Sequence, residues 1–251
     1  MVMFRPPNLA AGGACAWLLP ADERGPAAAR SLLHQVMAGL GLERDLIEDG
    51  KLAVSETATN ALRHAHPEPV TAETADTGPE LWIWARTVPA PQLVVSLFDC
   101  ARHALPHPTG TELLDEHGKG LDLVTAVTAD WGTGPSRSRL SAQRTPGKTV
   151  WFALPLPFRW PGRHLRVHPG TAAQTLMLNL GKRGYTGRRS SDEEGVSVVE
   201  LPGLNVWVLP QHFCWRPEPG RCVRRPLIDL QETAELLVRH LEGAPTSTPA
   251  P

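Results

Sequence analysis

The stretch "VSETATNALRHA", Val54 to Ala65, decides how this chain is read. Its residues favour a helix, and Glu56, Asn60 and His64 recur every fourth position, which puts them on one helical face. Val54, Ala58, Ala61, Leu62 and Ala65 fall on a different stripe. The segment therefore has an apolar side to pack and a polar side to present. It stops before Pro67, because the residue ahead of a proline is pushed out of helical geometry.

Upstream, Leu46, Ile47, Leu52 and Val54 continue the same helical spacing, so the helix starts well before Val54. Before it, Pro20 to Gly41 reads as another helix, with Ala28, Leu32, Leu33, Val36, Met37 and Leu40 on one stripe and Pro26 in the first turn. Downstream, "PEPVTAETADTGP" is a polar loop. "ELWIWARTV" and "QLVVSLFDC" are β-rich runs joined by "PAP", the pattern of an antiparallel pair. "ARHALPHPTGTELLDEHGKG" has no period and is broken by Pro106, Pro108 and Gly110, so it reads as a long loop. "LDLVTAVTADWG" reads as a helix, and "SRLSAQRTPGKTVWFALPL" as a hairpin.

Four pieces in this order have one chemistry in common. An asparagine oxygen such as that of Asn60 suits Mg²⁺, which takes oxygen donors and keeps waters. Glu56, one turn away, can orient or deprotonate a nucleophile. Asp99, at a strand end, can accept a hydrogen bond from an exocyclic amine. In "HGKGLDL", Gly118 and Gly120 let backbone approach phosphate, and the helix from Leu121 offers unpaired N–H groups and a positive dipole end. Lys119 or Lys148 adds charge there, and Thr149 in "GKTVWF" borders the base side.

This ordered set resembles the GHKL ATPase superfamily and, within it, the anti-sigma-factor serine/threonine kinases of bacteria. "VSETATNALRHA" looks like the N box, "VSLFDC" and "HGKGLDLV" like the two glycine-box elements, and "GKTVWFALP" like the final strand. The resemblance implies an α/β fold, an α+β two-layer sandwich. Its sheet would be mixed but mostly antiparallel, covered by helices on one face, with ATP and Mg²⁺ held under a lid at about Ala101 to His117. Residue by residue it implies Glu56 as catalytic base and Asn60 as Mg²⁺ ligand. Asp99 and Thr149 fall on the adenine side, and Gly118, Lys119, Gly120 and Leu121 at the phosphates. It also implies a protein partner, a sigma factor or an anti-anti-sigma-like regulator, and action as a homodimer. One departure stands out: after Asp99 comes "CARHALP", where close backbone approach would favour glycine.

The ATP-binding unit is expected over residues 20–155, a Pro- and Gly-rich linker over 156–170, and a small α/β appendage over 171–245. In the appendage, "TAAQTLMLNLGKRG" reads as a helix and "VSVVELPGLNVWVLPQHFCWR" as two strands. Leu227, Leu230, Ala234, Leu237 and Leu241 form the stripe of a last helix, and "APTSTPAP" is a disordered end.

Bulk properties narrow the alternatives. The 251 residues are 41% hydrophobic and 20% charged, enough for a sizeable core. A net charge of -1 provides no field for nucleic acid or acidic lipid. No apolar run reaches the roughly 18 residues needed to span a bilayer, which with the absent signal-peptide core gives a cytoplasmic expectation. The four cysteines form no CxxC pair and read as reduced thiols. His103, His107 and His117 fit no common metal-ligand spacing. Two functions compete: a kinase acting on a protein, and a binding module that sequesters a transcription regulator with ATP structural or absent. A sensor histidine kinase fragment ranks below both, since no helix pair with a phosphoacceptor histidine precedes the candidate site.

Overall fold

The computed structural model describes residues 6–64, 78–102, 119–157, 159–160, 167–192 and 195–243, with backbone alone at 6–8, 64 and 119. The long loop at 103–117, Gly118, the polar loop after His64, much of the linker and the tail after Gly243 lie outside these residues.

The N-terminal half runs β1 (Ala14–Leu18), α1 (Arg24–Gly39), α2 (Arg44–His64), β2 (Glu80–Arg86), β3 (Gln92–Asp99), α3 (Lys119–Val127), β4 (Asp130–Arg137) and β5 (Pro146–Pro155). Among the described residues of the helical stripes read from the sequence, all are buried or half-buried except Leu52, which is 40% exposed. Ala29, Leu33, Val36 and Met37 of α1 and Ile47, Val54, Ala58 and Ala61 of α2 enter one core. Arg30 Nη1 donates to Ser55 Oγ at 2.6 Å and ties the two helices together. Gly50 sets their distance from the sheet: a Cβ there would meet Leu154 Cδ1 at 2.9 Å and Met37 Sδ at 3.0 Å.

The strands form one sheet in the order β1-β2-β3-β5-β4, each described pairing antiparallel. Because side chains alternate along a strand, Leu97, Val95, Phe152 and Leu154 share the face under α1 and α2. Trp82, Trp84, Phe98 and Trp151 share the opposite one. The result is the α+β sandwich that the motifs imply.

Two strands of this sheet had no clear signal in the sequence, and in the C-terminal half "VSVVELPGLNVWVLPQHFCWR", read as two strands, forms three. β1 is a short run, "ACAWL". β4 begins where the sequence suggests continued helix. α3 ends at Val127, and Gly132 and Gly134 carry the chain across Trp151 and Arg239, where a Cβ would come within 2.8 Å and 2.9 Å of side-chain atoms.

The C-terminal half contains α4 (Pro169–Gly181), β6 (Arg188–Ser191), β7 (Ser197–Leu201), β8 (Leu204–Val208), β9 (His212–Glu218), β10 (Arg221–Pro226) and α5 (Leu230–Gly243). Its strands make a second antiparallel sheet, β10-β9-β8-β7-β6, with a separate core of Leu176, Leu180, Val206, Phe213, Ala234 and Leu237 among others. Cys214 and Cys222 face each other across β9 and β10 as free thiols, sulfurs 3.1 Å apart.

α5 has two working sides. Leu230, Ala234 and Leu237 pack into the second core, while Glu232 and Glu242 turn to the first half and Glu235 to Arg183 and Gln231, all three acids buried. Buried carboxylates need partners, and each has them. Trp84 Nε1 donates to Glu232 at 2.8 Å and Arg86 Nη1 at 3.2 Å. Arg183 pairs with Glu235 and lies 4.3 Å from the Trp82 ring centroid. Arg137 Nε donates to Glu242 at 2.8 Å, joined there by Arg102 and Tyr185. Burial alone would raise the Glu242 carboxyl, but these three donors hold it below its ordinary range. The appendage of the sequence reading thus covers the second face of the first sheet.

Candidate functional site

α2 presents Glu56 and Asn60, both half-buried, to the first turn of α3. A Cβ added at Gly120 would lie 2.9 Å from Glu56 Oε2 and 3.7 Å from Asn60 Nδ2. Glycine at 120 therefore lets the start of α3 come against the acid and the amide. The first N–H groups of α3 have no partners within the helix, and its dipole makes that end positive. Leu121 is 7% exposed, so it offers this end its N–H while its side chain is buried. Gly118 and the Lys119 side chain lie outside the described residues.

Asp99 closes β3 on the helix-covered face. Lys148, directly opposite on β5, donates from Nζ to Asp99 Oδ1 at 2.6 Å and to the Ala101 carbonyl at 3.2 Å. The Ala101 N–H donates to the same Oδ1 at 2.9 Å. Both side chains are buried, so a desolvated ion pair stands where the sequence suggested a carboxylate ready for adenine. Gly147 permits the close strand approach, since a Cβ there would reach the Asp99 carbonyl at 2.2 Å. Lys148 spends its charge on Asp99 and Ala101.

Thr149 lies elsewhere. Period-2 alternation turns it to the opposite face, with Phe98 and Trp151, beneath the C-terminal half. The residue that shares a face with Asp99 is Lys148. The pairing had no signal in the sequence, which gave Asp99 and Lys148 strands of their own without placing those strands side by side. The Arg102 contact with Glu242 carried no local signal, as 140 positions separate the two.

The donor chemistry fits a magnesium nucleotide at one end. Glu56 and Asn60 supply oxygens beside a helix start, which suits phosphates with a hard cation. Among the described residues no cluster of three or more His, Cys, Asp or Glu could hold a metal unaided. At the base end the fit is altered, since Asp99 Oδ1 already accepts from Lys148 and Ala101.

Among the described residues no helix is long and apolar enough to cross a membrane. Residues 19–152 match the family described as the histidine kinase-like ATPase domain. No curated protein matches the chain.

Proposed function

Because this chain belongs to the histidine kinase-like ATPase domain family, a family of ATP-binding domains, we propose that it is a regulatory kinase. In this reading it moves the γ-phosphoryl group of Mg-ATP onto a serine or threonine of a protein partner, a sigma factor or an anti-anti-sigma-like regulator. Mg-ATP supplies the phosphoryl group and the charge that shields it. Glu56 orients the partner's hydroxyl and accepts its proton, Asn60 holds the cation, and the first N–H groups of α3 hold phosphate oxygens. Positioning and charge stabilisation do most of the work in such transfers. A cytoplasmic setting and action as a homodimer belong to the same proposal.

One observation carries it: the acid and amide of α2 meet the glycine start of α3, with Glu56 Oε2 2.9 Å from the Cβ that Gly120 lacks. Calorimetric titration with ATP, ADP and GTP, with and without Mg²⁺, tests the site first. Adenine-selective, Mg-dependent binding is expected, and no binding of any of the three would end the proposal. Glu56→Ala should keep ATP binding but lose at least about 100-fold in transfer to the partner, the scale of a general base.

The Asp99–Lys148 pair favours a second reading, a binding module that sequesters a transcription regulator without turnover. In that case partner binding and regulatory output survive Glu56→Ala intact.

A further inference from the structure

Away from the α2–α3 site, a cavity of about 280 Å³ lies among the segment before β1, the loop between β4 and β5, α4 and α5. Its polar lining comes from Arg139, Lys182, Thr171, Thr175, Asn179 and Gln231, with the Gly12–Gly13 backbone along one side. Among the described residues no acidic one lines it.

The loop position of Arg139 is fixed by its backbone, whose N–H donates to Glu80 Oε2 at 3.0 Å. Its guanidinium is another matter. Nη1 is sealed from solvent and has no hydrogen-bond partner, so Arg139 faces the cavity through its other atoms. The acids nearby are already engaged. Glu80 accepts from Trp82 Nε1, Ser138 Oγ and the Leu140 N–H, and Glu235 accepts from Arg183 and Gln231. Glu80 and Glu235 remain charge partners of Arg139, and Arg183 and the exposed Lys182 bring the nearby cations to three against two carboxylates. Burial, then the neighbouring Arg183, pulls the Arg139 guanidinium down to about 10. Burial and Arg139 likewise lower Lys182. A buried donor on a charged group is seldom left unpaired. A cavity short of one negative charge, with hydroxyl and amide groups around it, suits an anion.

We propose that this cavity binds a small organic oxyanion, a carboxylate or a phosphate monoester, with Arg139 and Lys182 as its charge partners. Its size falls just under the roughly 300–1,000 Å³ of pockets for drug-sized ligands, so it takes a small metabolite and not a whole nucleotide. Such a ligand would touch elements of both halves of the chain at once.

The test uses the full chain in a zwitterionic buffer of low chloride. Inorganic phosphate and succinate are titrated separately, with sodium chloride matched for ionic strength, and followed by thermal unfolding and calorimetry. At tenfold excess over Kd, the better probe should raise Tm by about 3–5 °C, and chloride should not. The stronger of the two probes identifies the headgroup. Arg139→Gln should abolish the rise while its Tm without anion stays equal or increases, since it removes an uncompensated charge. Lys182→Gln, at the end of α4, should weaken binding about tenfold, and it keeps the test decisive if the first variant fails to fold. ATP binding should be the same in both variants, which separates this cavity from the α2–α3 site. The proposal is overturned if neither probe binds, if both variants bind as the wild type does, or if Arg139→Gln lowers Tm in anion-free buffer, the mark of a structural strut.

Discussion

A methyl group at position 120 would crowd the free end of the Glu56 side chain, 2.9 Å away, and touch Asn60 Nδ2 at an ordinary 3.7 Å. The flexible carboxylate can step aside, so Gly120→Ala should fold with unchanged or slightly higher Tm, as alanine favours helix by up to about 1 kcal/mol. The displaced acid would no longer sit where the proposed chemistry needs it. A misplacement on the scale of 1 Å costs roughly 100-fold in rate, so phosphotransfer assays should show a large loss beside a normal melting curve. Equal activity in the variant would remove Glu56 from the mechanism. Asp229 makes a different residue-scale prediction. Its Oδ1 accepts from the N–H and hydroxyl of Thr87 at 2.8 Å and 2.9 Å, while its Oδ2 is buried without a partner. Burial, outweighing the Thr87 hydrogen bonds, pushes its carboxyl up to about 6. A raised carboxyl favours the folded state when protonated, so this stability is present below about pH 4 and disappears as pH rises through 6. Relative to Asp229→Asn, which keeps the Thr87 contacts, the wild type should lose about 2–3 kcal/mol between pH 4 and 7. Urea unfolding of both proteins across that range checks it, and parallel curves would refute it.

At the scale of elements, the junction of β3 and β5 rests on the buried Lys148–Asp99 pair. Removing one partner of such a pair leaves an uncompensated charge and costs roughly 3–5 kcal/mol, whereas removing both costs much less than the sum. Lys148→Met and Asp99→Leu should each lower urea stability by that amount, and the double variant should recover a large part. Additive losses would mean the pair is not coupled. The same junction marks where the sequence could be read and where it could not. α1, α2 and the β2–β3 pair were legible because apolar spacing encodes them locally, and Leu33, Val54 and Val95 are buried where that spacing puts them. The Glu56–Asn60 face was legible for the same reason. β1 was not, since five residues of "ACAWL" acquire strand character only by pairing with β2. β4 was hidden because "DWGTGPSR" draws its two glycines from packing needs at Trp151 and Arg239. Thr149 lies on the face opposite Asp99 because adjacent residues of a strand point opposite ways, a register that the motif alone leaves open by one.

Across the whole molecule, α5 lies on the back of the first sheet with an acidic stripe. Trp84 and Arg86 of β2, Arg102 after β3 and Arg137 of β4 all end on its glutamates. Such long-range pairs leave no periodic trace in sequence, so the sequence leaves open whether the C-terminal half is packed on the first or merely tethered to it. A chain stopped after Pro157 would uncover Trp82, Trp84 and Trp151 and leave Arg86 without Glu232. An apolar patch of that kind drives association. The shortened protein is therefore expected to aggregate or to melt far below the intact one in calorimetry and size-exclusion chromatography, and a well-behaved monomer of unchanged Tm would contradict the interface.

That back-to-back arrangement has a practical bearing. Whoever clones only the stretch that matches the ATPase family obtains half of a glued pair, with its adhesive side wet. A failed binding assay on such a fragment would speak about the missing lining and leave the nucleotide question unasked.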